Sequence, residues 1–151
     1  MKLAIGSDHH GFVLKEDIKA YIKQMGHEAI DYGCYSCDET DYPDVAFDVS
    51  QDIIREKVVR GVLICGTGIG VAIAAGKVPG IRAALCHDTY SAERAQLSNN
   101  AQILTMGSKV IGVELAKQVV YTYLNNEFKG GDSARKIKKI MDKENEFLQK
   151  I

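Results

Sequence analysis

The chain switches repeatedly between short apolar runs and segments whose apolar residues recur at helical spacing. That alternation fits a parallel sheet with both faces covered, because each parallel crossover is usually a helix packed back onto the sheet. Lys2 to Ser7 is the first run, and Asp8-His9-His10-Gly11 breaks it. Leu14, Ile18, Tyr21, Ile22 and Met25 then follow a helical period that Gly26 stops. Glu28 to Tyr32 reads as a second strand and Gly33 to Asp44 as a polar loop. Val45, Val49, Ile53 and Ile54 mark a helix whose first positions suit Pro43 and Asp44. Gly61 to Ile64 is a third strand, followed by a small-residue helix through Ala75. Ile81 to Cys86 is the fourth strand and Tyr90 to Leu97 a short helix. Ile103 to Met106 is the fifth strand, and Ile111 to Leu124 is helical. After Gly130-Gly131, Ile137, Ile140, Met141 and Leu148 mark a charged, amphipathic helix. It follows a completed sheet, so its apolar stripe needs another surface, which a partner subunit could supply.

The expected fold class is α/β, and 151 residues suit a single domain over positions 1–151. A net charge of -1, from 19 basic and 20 acidic residues, argues against an electrostatic nucleic-acid binder or a polybasic membrane anchor. A charge arrives too early near Met1 for a signal-peptide core, and no apolar run is long enough to span a bilayer. The expectation is a cytoplasmic protein. Cys34-Tyr35-Ser36-Cys37 is a C-x-x-C with no second pair and no well-spaced histidines, so a zinc site is not expected. It also lacks the flanking strand and helix of a redox motif, and two loop cysteines is the plainer reading.

In open α/β sheets, ligands sit at the C-terminal ends of the strands. The loops to watch are therefore Asp8 to Gly11, Cys65 to Gly70, Cys86 to Thr89 and Gly107 to Lys109. Val62-Leu63-Ile64-Cys65-Gly66-Thr67-Gly68-Ile69-Gly70 reads as buried strand, tight turn and helix start. It places the Cys65 thiol beside N–H groups that a helix leaves unpaired, where a thiol loses its proton more easily and an oxyanion finds donors. The glycines are neither a Walker loop, with no Gly-Lys-Ser/Thr, nor a dinucleotide fingerprint. They suit an anion, or simply a tight turn. Taken alone, Cys65 is either a small buried apolar residue or a base. Thr67 either caps the next helix or bonds a substrate oxygen. Asp8 reads as a cap, and His9 as a phosphate or proton-handling group. His10 reads as a solvated imidazole. Ser98-Asn99-Asn100 is a polar turn or a donor set for sugar hydroxyls, and Arg135, Lys136, Lys138 and Lys139 a solvated face or a phosphate contact.

Taken together, Ile5-Gly6-Ser7-Asp8-His9, Thr40-Asp41-Tyr42-Pro43, Ile64 to Gly70, Gly80-Ile81-Arg82-Ala83, Ser98-Asn99-Asn100 and Gly107-Ser108-Lys109 resemble the type B ribose-5-phosphate isomerase family, which includes galactose-6-phosphate isomerase subunits. The resemblance covers essentially the whole chain. It implies a Rossmann-like three-layer α/β/α fold with a five-stranded parallel sheet, and a C-terminal helix packed on the partner of a homodimer or dimer of dimers that shares each site. It implies interconversion of ribose 5-phosphate and ribulose 5-phosphate, or of an allose or galactose 6-phosphate, without metal or organic cofactor. Cys65 would move a proton between C2 and C1 through a cis-enediolate held by Gly66, Gly68, Ile69 and Gly70. Thr67 would bond the substrate, Asp8, His9 and Tyr42 would line the site, and Asn99 and Lys109 would contribute. Two positions depart from the pattern. Ser98 stands where many relatives carry a ring-opening histidine, and serine has no acid–base role near neutral pH, so His9, Thr67 or spontaneous opening in water must then serve. Asp132 and Lys136 stand where arginines clamp phosphate, leaving Lys136, Arg135 and His9 for that task. A sugar-phosphate-binding module with no catalysis is the alternative of a different class.

Overall fold

The computed structural model describes residues 1–150. Among them the chain builds β1 (Lys2–Ser7), α1 (Phe12–Gln24), β2 (Glu28–Asp31), α2 (Tyr42–Ile54), β3 (Arg60–Cys65), α3 (Ile69–Gly76), β4 (Ala83–Leu85), α4 (Thr89–Leu97), β5 (Ile103–Gly107), α5 (Val113–Leu124) and α6 (Asp132–Gln149). The strands form one parallel sheet in the order β2-β1-β3-β5-β4. The chain order turns around between β1 and β3, and Ser7 pairs with Ile64 where those two strands end. A switch point of this kind opens a crevice beyond the strand ends. Asp8 and Cys65 both stand at its rim.

The period-2 alternation of a strand assigns each side chain to one face. Leu3, Ile5, Val62, Ile64, Leu104 and Met106 point to the layer of α1, α4 and α5. Ala4, Leu63, Cys65 and Ile103 point to the layer of α2 and α3, where Val45, Val49, Val71 and Ala75 meet them. Apolar residues on both faces explain why the strands read as continuous apolar runs rather than alternating ones.

Several boundaries shift by one or two residues from the sequence reading, and two of the shifts have a visible cause. The fourth strand is Ala83–Leu85, not Ile81 to Cys86. Ile81 N–H turns back to the Val78 carbonyl and Arg82 N–H donates to Gln102 Oε1, so neither joins the ladder. The helix expected from Ile111 begins at Val113, because the N–H groups of Val110 and Ile111 close a turn on the Gly107 carbonyl. Helix α6 keeps only Ile137 buried. Its hold on its own chain includes Glu144, which accepts from Gly80 N–H at 2.9 Å, and Met141, whose sulfur lies 3.2 Å from the Arg82 guanidinium. Ile140, Phe147 and Leu148 stay exposed. No helix among the described residues is long and apolar enough to cross a membrane.

Candidate active site

Cys65 closes β3, and its side chain points towards the α2/α3 layer with only 4% of its surface exposed. It is not sealed in hydrocarbon. A hollow of about 490 Å³ adjoins it, walled by Asp8, Tyr42, Thr67, Gly70 and Lys109 among others. The Gly68 N–H donates to Cys65 Sγ at 3.1 Å. An N–H aimed at sulfur is the contact a thiolate needs. Gly68 adopts φ +78°, which an L side chain rarely takes, and this left-handed residue turns the chain from strand into α3. Helix α3 starts at Ile69, so its first-turn N–H groups lack intrahelical acceptors. Thr67 Oγ1 accepts the Ile69 N–H at 3.2 Å and leaves its own hydroxyl proton free to donate. Thr67 therefore closes a turn just before the Gly68 N-cap of α3 and lines the hollow.

The glycine loop is pinned from two sides. Ser108 N–H donates to the Cys65 carbonyl at 2.9 Å and Lys109 N–H to the Gly66 carbonyl at 3.0 Å. Those bonds bring Lys109 over Gly66 and into the hollow. On the other side the Tyr42 ring lies so close to Gly70 that an added Cβ would collide with Tyr42 Cε1. Asp8 is a local brace, since its Oδ1 accepts the N–H groups of His10 at 3.0 Å and Gly11 at 3.1 Å. His9 Nδ1 accepts Thr40 N–H at 3.1 Å, which ties the loop before Tyr42 to the end of β1.

The hollow thus gathers Asp8, Tyr42, Cys65, Gly66, Thr67, Ile69, Gly70 and Lys109 from the residues singled out in the sequence. Gly68 acts through its N–H, and His9 stands beside His10, their ring centroids 4.2 Å apart with the planes tilted by 41°. Ser98 and Asn99 lie elsewhere in the chain. Ser98 caps the end of α4, and its hydroxyl accepts from Arg94 Nε at 2.8 Å and Nη2 at 2.6 Å. Asn99 lines a separate hollow of about 360 Å³ together with Arg82, Arg94 and Ile140. Arg135 and Lys136 sit on the first turns of α6, away from the Cys65 hollow of their own chain.

His10 and Ile73 join the hollow without having been given a role by the sequence reading. Arg82 was also missed: it donates to the carbonyls of Asn99, Asn100 and Gly80, fastening the 98–100 turn to the edge of the sheet. His87 Nε2 accepts Gly107 N–H at 2.9 Å and steadies the strand beside Cys65. Nothing in sequence spacing signals these two contacts, although the adjacency of His10 to His9 does point at the same loop. Cys86 differs from Cys65: burial, reinforced by the charge of Asp88, pushes its thiol up to about 11. Among the described residues no group of three or more His, Cys, Asp or Glu side chains comes together as a metal cage.

Comparison with known proteins extends this picture. A model of the family described as Ribose/Galactose Isomerase matches residues 3–140. A D-erythrulose-4-phosphate isomerase of Pectobacterium atrosepticum is 50% identical, over 93% of both chains. Ribose-5-phosphate isomerase B of Escherichia coli is 42% identical over 92% of this chain and 93% of its own. The ribose-5-phosphate isomerase B structure from Clostridium thermocellum superposes with a TM-score of 0.95 at 44% identity, covering 97% of this chain and 99% of that one.

Proposed function

The chain belongs to the ribose/galactose isomerase family and is a sugar-phosphate isomerase; we propose that it interconverts ribose 5-phosphate and ribulose 5-phosphate through a cis-enediolate, with Cys65 as the base. The observation that carries this reading is the placement of the Cys65 sulfur. It receives the Gly68 N–H at 3.1 Å and adjoins an open hollow at the start of α3. A carbon acid beside a carbonyl needs a base on one side and donors for the developing oxyanion on the other. The sulfur takes the C2 proton, and the charge that appears on the oxygens meets the first-turn N–H groups of α3 and the Thr67 hydroxyl. The same sulfur then returns the proton to C1. Preorganised N–H dipoles are worth most because they need not reorient as charge develops. Lys109, which lines the same hollow beside Gly66, supplies positive charge for an anionic substrate.

Ser98, Asn99, Arg135 and Lys136 enter this scheme from a second copy of the chain. Helix α6 bears an exposed apolar face, Ile140, Phe147 and Leu148, that suits such a homodimer. In that arrangement His9, Arg135 and Lys136 hold the phosphate, and Asn99 bonds a sugar hydroxyl. Cytoplasmic placement belongs to this same reading.

A second substrate reading has its own support. The relative at 50% identity is named for D-erythrulose 4-phosphate, and the chemistry at C1 and C2 of a four-carbon ketose phosphate is the same. A panel assay separates the readings. Purified protein in chelator and heavy water is given tetrose, pentose and hexose phosphates, and isomer formation and deuterium at C1 or C2 are followed by NMR. The proposal expects isomer with solvent deuterium and greatest efficiency on ribose 5-phosphate. Binding without turnover on every sugar would leave the non-catalytic module in its place.

A further inference from the structure

Among the described residues, His10 is the one histidine whose ring has no hydrogen-bond partner. His9 Nδ1 accepts Thr40 N–H, His87 Nε2 accepts Gly107 N–H, and His27 Nδ1 lies 2.9 Å from the N-terminal amine near the opposite end of the sheet. The His10 backbone, by contrast, is held at both ends: its N–H donates to Asp8 Oδ1 at 3.0 Å, and its carbonyl accepts from Ser108 Oγ at 2.7 Å. The ring is exposed, leans on His9 at 4.2 Å, and meets no hydrogen-bond partner among the described residues. It lines the Cys65 hollow and also a neighbouring hollow of about 360 Å³ that it shares with Asp17, Ser108 and Lys109. An imidazole fixed by its backbone and unpaired in its ring stands over the opening beside the proposed base.

The isomerase reading needs one more proton transfer, and the candidates named from the sequence fit it poorly: His9 Nδ1 is taken by Thr40 N–H and His9 does not line the hollow, while the Thr67 hydroxyl has no acid–base role near neutral pH. A pentose 5-phosphate closes on itself through O4, so its carbonyl is hidden until the ring opens. Opening moves the O1 hydroxyl proton to O4 as the C1–O4 bond breaks and C1=O forms. Cys65 is committed to carbon. Asp8 already accepts two N–H groups and is 6% exposed. Of the side-chain classes around the hollow, imidazole is the one suited to both taking and giving a proton near neutral pH. The Ser98 hydroxyl is already engaged by Arg94.

We propose that His10 is a further catalytic residue, the acid–base group that opens the sugar ring before Cys65 acts. Its free ring nitrogen takes the O1 proton while the C1–O4 electron pair moves to O4. The imidazolium then delivers that proton to O4, leaving open-chain aldose and neutral imidazole, with no other reactant. This inference rests on the isomerase reading, and it adds a step which that reading does not need for a substrate unable to close a ring. The charged and titratable groups that share its two hollows are Asp8, Asp17, Tyr42, Cys65 and Lys109, with the tilted His9 ring against it.

The test isolates ring opening from isomerisation. In Cys65→Ala protein no C2 proton is removed, and α/β anomer exchange of ribose 5-phosphate is read by NMR exchange spectroscopy. With His10 present the protein accelerates exchange above the solution rate. Adding His10→Gln, or His10→Ala as a second variant, lowers that catalysed rate by about 10²–10⁴-fold, the range for loss of a general acid–base group. In the otherwise native protein, His10→Gln lowers kcat/KM for ribose 5-phosphate more than for erythrose 4-phosphate, whose O4 carries the phosphate and which cannot form a furanose. Equal anomer exchange with and without His10, or an equal loss on both sugars, overturns the assignment to His10 even if isomerisation is intact. Absence of turnover on any sugar phosphate in the native protein strikes the isomerase reading instead.

Discussion

Gly107→Ala probes how tightly the loop that holds the proposed enediolate is set against the sheet. Gly107 ends β5 and pairs in register with Cys65. A Cβ built there would lie 2.5 Å from both Thr67 C and Thr67 Cα and 2.6 Å from Thr67 O. Ordinary contact between such atoms begins about 1 Å further out. No flexible side chain can absorb the difference, since backbone is the obstacle. The two segments are also tied by Ser108 N–H to the Cys65 carbonyl and Lys109 N–H to the Gly66 carbonyl. The loop from Gly66 to Gly68 must therefore back away by about 1 Å. Overpacking of this kind costs about 1–3 kcal/mol, which for a domain near this size lowers Tm by roughly 2–12 °C. A 1 Å misplacement of a catalytic group can cost about 10²-fold in rate, so kcat/KM falls by about that factor. Gly76→Ala is the control. It closes α3, has no atom within 4 Å of a built Cβ, and should gain about 0.5–1 kcal/mol with unchanged kcat/KM. Calorimetry and steady-state kinetics on both variants decide the matter. A Gly107→Ala protein with native Tm and native kcat/KM refutes the close approach on which the cradle depends.

Four further outcomes follow from groups outside the hollow. Lys15 is fully buried and donates to both Asp31 oxygens at 2.8 and 2.7 Å; Lys15→Met should cost about 3 kcal/mol in urea unfolding, the low end for breaking a buried pair, because Lys19 still holds Asp31. Burial pushes the Asp31 carboxyl up, but its bonds from Lys15, Lys19 and Gly33 outweigh that and hold it below the usual range, so its contribution is present above about pH 4 and is lost as pH falls through the depressed value, visible as a shallower acid limb of Tm against pH in Asp31→Asn. Cys86, pushed up to about 11, stays protonated in the fold after the unfolded thiol has ionised near 8.5, so stability falls between about pH 8.5 and 11, by about 3 kcal/mol at the upper end, and Cys86→Ala should flatten that slope. Finally, Phe147→Asp places a charge on the exposed apolar face of α6, and sedimentation should show a dimer giving way to monomer, with loss of activity if a second copy completes the site.

The order of strands and helices was legible because buried parallel strands must be apolar on both faces. Val62-Leu63-Ile64 and Ile103-Leu104 could hardly serve elsewhere. The edge strand β4 was over-read, because Ile81 and Arg82 are as strand-like in sequence as Ala83 but spend their N–H groups on a turn and on Gln102. The Cys65 loop was legible for a local reason: strand, glycines and helix start are contiguous, so the donor set is written in one stretch of chain. Contacts between distant segments have no such local signal: Tyr42 and Lys109 were placed at the site only through the family resemblance, and His10 at the mouth was given no role, because all three come from loops that the sheet order brings together. The tie of Arg82 to the 98–100 turn likewise joins distant segments. The separation of Ser98 and Asn99 from Cys65 within one chain is also invisible in spacing.

The central claim, that the sulfur at the end of β3 carries the proton of the sugar, is most directly tested by loading ribose 5-phosphate deuterated at C2 onto native and Cys65→Ala protein. Product and label are then followed together by mass spectrometry. Native protein should form ribulose 5-phosphate with its deuterium moved to C1 or exchanged into water. The variant should bind the sugar and keep C2 labelled, its turnover lower by about 10²–10⁴-fold. A variant that still strips deuterium from C2 at the native rate would contradict the account, whatever else the hollow holds.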